Sequence, residues 1–112
     1  MAGKYDKLVA EKGWKKLAKI GQKKNVEDAV EVALACGNGR SEEARNILID
    51  ILSRPERECK VAAIKGLSTL RYDPDSQIER LRHVVTDGDP ELAQMVKDAI
   101  ENLRDFTRES KK

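Results

Sequence analysis

The stretch that decides the fold is Cys59-Lys60-Val61-Ala62-Ala63-Ile64-Lys65-Gly66-Leu67. Its small or apolar positions Cys59, Ala62, Ala63, Gly66 and Leu67 fall at i, i+3, i+4, i+7 and i+8, one face of an α-helix. Sliding the chain by 33 residues in either direction repeats the pattern, so that segments 26–37, 59–70 and 92–103 align. The shared columns are Val26/Cys59/Leu92, Ala29/Ala62/Met95, Val30/Ala63/Val96, Ala33/Gly66/Ala99 and Leu34/Leu67/Ile100. Such a period marks a repeat architecture.

A second apolar helix pattern precedes each segment. Trp14/Leu48/Leu81, Leu17/Ile51/Val84 and Ala18/Leu52/Val85 correspond at spacings of 34 and then 33. Each unit is therefore a helix pair with more apolar surface than it can bury alone. Stacking neighbouring units buries the surplus, which is the physics of a solenoid. The pattern predicts pairs over about 13–37, 41–71 and 74–104 within a single domain spanning 1–112. Tyr5, Leu8 and Val9 add a short helix in front, set off by Gly13, and residues 107–112 are expected to fray.

Local punctuation supports these bounds. Asn25 and Ser41 stand where helix caps are needed, with Glu42 and Glu43 favourable at the following helix start. Gly37-Asn38-Gly39 ends the first repeat with residues that tolerate left-handed backbone. Ser53/Glu56 and Ser76/Glu79 have capping-box spacing, and Asp89-Pro90 opens the last helix as cap and first residue.

At 112 residues, with 39% hydrophobic and 38% charged side chains, the chain is too apolar for disorder and long enough for a core. It has no apolar run near the ~20 residues of a membrane helix and no leader-like start, so a cytoplasmic location is expected and a membrane partner is not. Cys36 and Cys59 lie inside helical patterns and are expected to be buried free thiols, with Cys59 the less reactive. Charge is uneven: residues 1–25 sum to +6, residues 26–56 to −4, and residues 57–112 balance.

The segment Asp89-Pro90-Glu91-Leu92-Ala93, followed by Ala99-Ile100, resembles the second helix of a HEAT repeat, and residues 59–67 fit the same template with Lys60 at its arginine position. That arginine position holds Glu27, Lys60 and Ala93 in turn, and an inter-helix Asp like Asp87 appears once, so a polar ladder between units is expected to be mostly absent. The resemblance implies an all-α fold, a right-handed α-α superhelix of about three HEAT-like helix pairs. It also implies a concave surface lined by the second helices.

Chemistry is sparse. His83 is the single histidine, and nothing around it forms a nucleophile elbow or an HExxH site. Asp73/Asp75 and Asp87/Asp89 lack the remaining ligands of a calcium loop, and Gly37-Asn38-Gly39-Arg40 lacks the strand and lysine of a phosphate loop. No enzymatic activity, cofactor or metal is expected.

The expected function is protein binding through the second-helix face, carried by Glu31, Val32, Val61, Ile64, Lys65 and Lys97, where aliphatics stand at positions predicted to face solvent. The alternative is weak, sequence-independent nucleic-acid binding through Lys12, Lys15, Lys16, Lys19 and Lys23. A further possibility is that these lysines meet the acidic segment of another copy.

Overall fold

A computed structural model describes residues 3–110, with only the backbone of Ser110. Seven helices and no strand occur among the described residues: α1 (Asp6–Ala10), α2 (Trp14–Gln22), α3 (Val26–Cys36), α4 (Glu42–Leu52), α5 (Arg57–Thr69), α6 (Pro74–Arg82) and α7 (Pro90–Ser110). Each predicted pair is present, as α2/α3, α4/α5 and α6/α7, with α1 laid on α2 and α3.

The second helices follow one another in space, α3 against α5 and α5 against α7, while α2 packs on α4. The backbones of α4 and α6 stay apart. Arg45 spans that gap, donating to Ser76 Oγ at 3.1 Å and lying 3.7 Å from Asp73 Oδ2. One continuous apolar core runs through the molecule, with Leu17, Leu48, Ile51, Leu67, Leu81 and Leu103 fully buried.

The caps divide into those the sequence foretold and those it did not. Asn25 Oδ1 accepts from Asp28 N, Ser41 Oγ from Ala44 N and Asp89 Oδ1 from Leu92 N, each as expected. The two capping boxes do not form. Ser53 ends α4 and donates to Ile49 O, while α5 starts after Glu56, whose carboxylate is held by Arg54 at 3.0 Å. Residue 54 precedes Pro55 and so is disfavoured from helical backbone, and the cap falls three residues on, at Glu56. Asp73, with φ 45°, begins α6 through its backbone instead, and Ser76 lies inside the helix. In the loop after α3 the left-handed residue is Arg40 (φ 51°), not a glycine. Gly37 is helical (φ −56°), and a Cβ there would lie 2.4 Å from Thr69 Oγ1. It serves close approach to α5.

Four burial expectations are corrected. Val32 and Ile64, placed on the solvent side by their columns, are 0% and 1% exposed. Leu34 and Val85, placed in the core, are 43% and 78% exposed. The buried stripe of α3 runs Ala29, Val32, Ala33, Cys36, turned from that of α5 toward Val32 and away from Leu34. As the first second-helix, α3 has α1 and α2 to cover it and no preceding repeat. Val85 is exposed because α6 stops at Arg82, short of the column it was meant to join. Helix α7 continues through Ser110, with Leu103 buried and Arg71 stacked on Phe106 at 4.4 Å; residues 111–112 lie outside the described part.

Polar links between units are richer than expected. Arg57 at the start of α5 bonds Asp89 Oδ2 at 2.8 Å and Glu91 Oε1 at 2.9 Å, which keeps the Asp89 carboxyl below its usual range. Arg54 is 8% exposed; its Nη1 donates to Gly21 O at 2.7 Å and Lys23 O at 2.6 Å while Nε and Nη2 grip Glu56. A buried guanidinium is tolerated only when its donors are satisfied in this way. It closes the C-terminal end of α2, where carbonyls have no helical partner.

Both cysteines are free and buried. Burial pushes the Cys36 thiol up to about 12. Burial also raises the Cys59 thiol, but the neighbouring Arg54 guanidinium pulls it back. These surroundings predict the opposite order from the sequence, with Cys36 the less reactive. Mixing the folded protein with an aromatic disulfide near neutral pH should leave both thiols slow and Cys36 slower, since only thiolate reacts. Faster modification of Cys36 than of Cys59 would contradict this environment.

Candidate interaction surface

Helices α5 and α7 pack together and leave a groove of about 490 Å³ between them. Its floor is Ile64 from α5 with Met95 and Ala99 from α7; Ile64 and Ala99 are almost wholly buried and Met95 is half-buried. Lys65 and Asp98 stand exposed on opposite rims. At one end Asn102 Nδ2 donates to Ser68 Oγ at 2.8 Å and Ser68 O at 3.0 Å, tying the helices together. Gln94 donates to Asp98 at 2.8 Å and orients that rim carboxylate. An apolar floor between two charged rims, on rigid helices, suits an inserted side chain of a partner segment.

The predicted site residues do not gather at one point. Ile64 and Lys65 are both in this groove, one as floor and one as rim. Val61 is half-buried and packed against the core. Val32 faces α2, beside Gly21, and is withdrawn from any surface. Glu31 lines a different groove between α3 and α5, and Lys97 is exposed on α7 outside both grooves. Sequence reasoning missed Met95, Ala99, Ser68 and Asn102. Met95 did carry a signal: it shares a column with Ala29 and Ala62, and a side chain that large overfills a slot built for alanine.

The alternative lysine set forms a separate ridge. Lys15, Lys16 and Lys19 are exposed on α2, Lys23 caps its end, and Lys12 sits in the preceding turn with φ 59°. Among the described residues none of these five ammonium groups forms a salt bridge. Trp14 packs against the core and offers no free face beside them.

Among the described residues no group of three or more histidine, cysteine or acidic side chains is placed to hold a metal ion, and no helix is long and apolar enough to cross a membrane. His83 is exposed at the end of α6, its Nδ1 2.8 Å from Glu79 O. The amides of Asn38 and Gly39 are spent on Ala35 O and Cys36 O, so that loop presents no anion nest there. Comparison with protein-family models, curated proteins and solved structures finds no match to this chain.

Proposed function

We propose that the chain is a non-catalytic protein-interaction module, a short HEAT-like solenoid that receives a helix or peptide of its partner in the α5/α7 groove. The 33-residue period and the α3–α5–α7 order of neighbours support the solenoid reading. The observation that carries the binding role is the floor of Ile64, Met95 and Ala99 held open between Lys65 and Asp98. An apolar anchor from the partner fills the floor, and flanking charges of opposite sign meet the rims. A flexible thioether in the floor adapts to anchors of different shape.

Selection of helical peptides from a displayed library tests this directly. Enriched sequences should share an apolar anchor, and Met95→Glu should weaken them by about a hundredfold, because a charge is then desolvated at the centre of the contact. The same substitution at a half-exposed position should change stability by no more than about 1 kcal/mol. Peptides that bind the Met95→Glu chain as tightly as the parent would move the site elsewhere.

A further inference from the structure

We propose that copies of this chain associate head to tail, the lysine ridge of α2 in one copy seating in the acidic groove between α3 and α5 of the next. That groove encloses about 780 Å³. Glu27 and Glu31 from α3 and Glu58 from α5 line it over half-buried Val26 and Val30. Among the described residues these three carboxylates form no salt bridge, just as the five ridge lysines form none. By contrast Arg45, Arg54, Arg57, Arg82, Arg104 and Arg108 are all paired within the chain. Other charged side chains are also unpaired, but these lysines gather on and beside one face of α2 and these carboxylates around one groove, two surfaces of opposite sign.

The two surfaces match in pattern. Lys15 and Lys19 on α2 and Lys23 at its C-terminal cap recur every four residues in sequence, and Glu27 and Glu31 have the same interval on α3. Residues four apart on a helix lie roughly 6 Å from each other, so ridge and groove share one repeat. The groove already accepts a lysine: Lys4 lies in its lining, 3.0 Å from Asp28 Oδ1, which the Tyr5 hydroxyl also donates to at 3.0 Å.

Direction decides the kind of assembly. The ridge lies opposite the buried Leu17 and Gly21 of α2, and Glu27 and Glu31 lie opposite the buried stripe Ala29, Val32, Ala33 and Cys36 of α3. Helices α2 and α3 pack on each other, so the ridge and the groove point away from one another. Such a heterologous contact uses one surface from each copy and leaves the others free to extend the chain. Exposed ion pairs are individually weak and salt-sensitive, so the association is loose and grows with concentration.

Sedimentation velocity on the full chain, from about 10 to 500 µM, reads this out at about 25 and 300 mM salt. At the lower salt the average mass should climb past that of a dimer; at the higher it should return to monomer. Lys15→Gln/Lys19→Gln removes the ridge and Glu27→Gln/Glu31→Gln removes the groove, all at positions that are exposed or half-buried. Each variant alone should lose self-association at least tenfold, and an equimolar mixture should form complexes that stop at two copies. A parent chain that stays monomeric at low salt, or a mixture that does not pair, overturns the proposal. So does a monomeric chain whose ridge binds a labelled oligonucleotide at about 50 mM salt and releases it at about 200 mM, because the lysines then serve a nucleic acid.

Discussion

Ile64→Glu is expected to leave the chain largely unfolded in the absence of any denaturant. Ile64 is 1% exposed in the middle of α5, so a carboxylate there is drawn out of water into an apolar setting. The loss of apolar burial and the cost of an unpaired charge together exceed about 4 kcal/mol, comparable to the whole stability of many domains this size. Lys65→Glu, one residue on and exposed, should change stability by less than about 0.5 kcal/mol. Far-UV circular dichroism with urea titration separates the two. A cooperative, parent-like transition for Ile64→Glu would mean that α7 does not cover α5.

Gly66→Ala should destabilise by about 2–4 kcal/mol, opposite in sign to the usual effect. Alanine in a helix interior is normally favoured over glycine by about 1 kcal/mol. Here an added Cβ would lie 2.7 Å from Ala33 O and 2.5 Å from Leu48 Cδ2. The leucine tip can rotate, but the α3 backbone can yield only if α3 and α5 separate along their contact. Overpacking of that kind outweighs the gain in propensity. Urea midpoints for Gly66→Ala against the parent chain decide it, and a stabilised variant would show that α3 and α5 are farther apart than described.

The same position shows how much was legible. The column Ala33/Gly66/Ala99 marked a buried helix face in the sequence, and all three residues are buried, but the close approach of α3 to α5 at Gly66 was not read from it. The groove itself was not legible. Ile64 shares its column with Glu31 and Lys97, which suggested solvent, but α5 has second-helix neighbours on both sides and needs a wider apolar arc than α3 or α7. Helical periodicity fixes a face only to within about one residue, roughly 100° of rotation, and the neighbours choose within that range. The rotation of α3 toward Val32 has the same origin. Arg54 was invisible for another reason. Its partners Gly21 O and Lys23 O are backbone carbonyls more than 30 residues away, and a carbonyl has no residue signature. Nothing in Val84 or Val85 announces that α6 has already stopped at Arg82.

The lysine ridge stands differently. Its exposure and its +6 segment were readable from residue order alone, whereas the carboxylates that match it come from two helices, Glu27 and Glu31 on α3 and Glu58 on α5. Only the packing of α3 on α5 brings them together.

The central claim is that α5 and α7 form one rigid body, so that the groove between them exists before any partner arrives. Native-state amide hydrogen exchange measures this helix by helix, because each cooperative unit opens at its own free energy. The backbone amides of α7 from Leu92 to Leu103 should open within about 1 kcal/mol of those of α5 from Ala62 to Leu67 and show the same urea dependence. If instead α6 and α7 open together about 3 kcal/mol or more below α5, the third pair is an independent flap and the groove is not a preformed site.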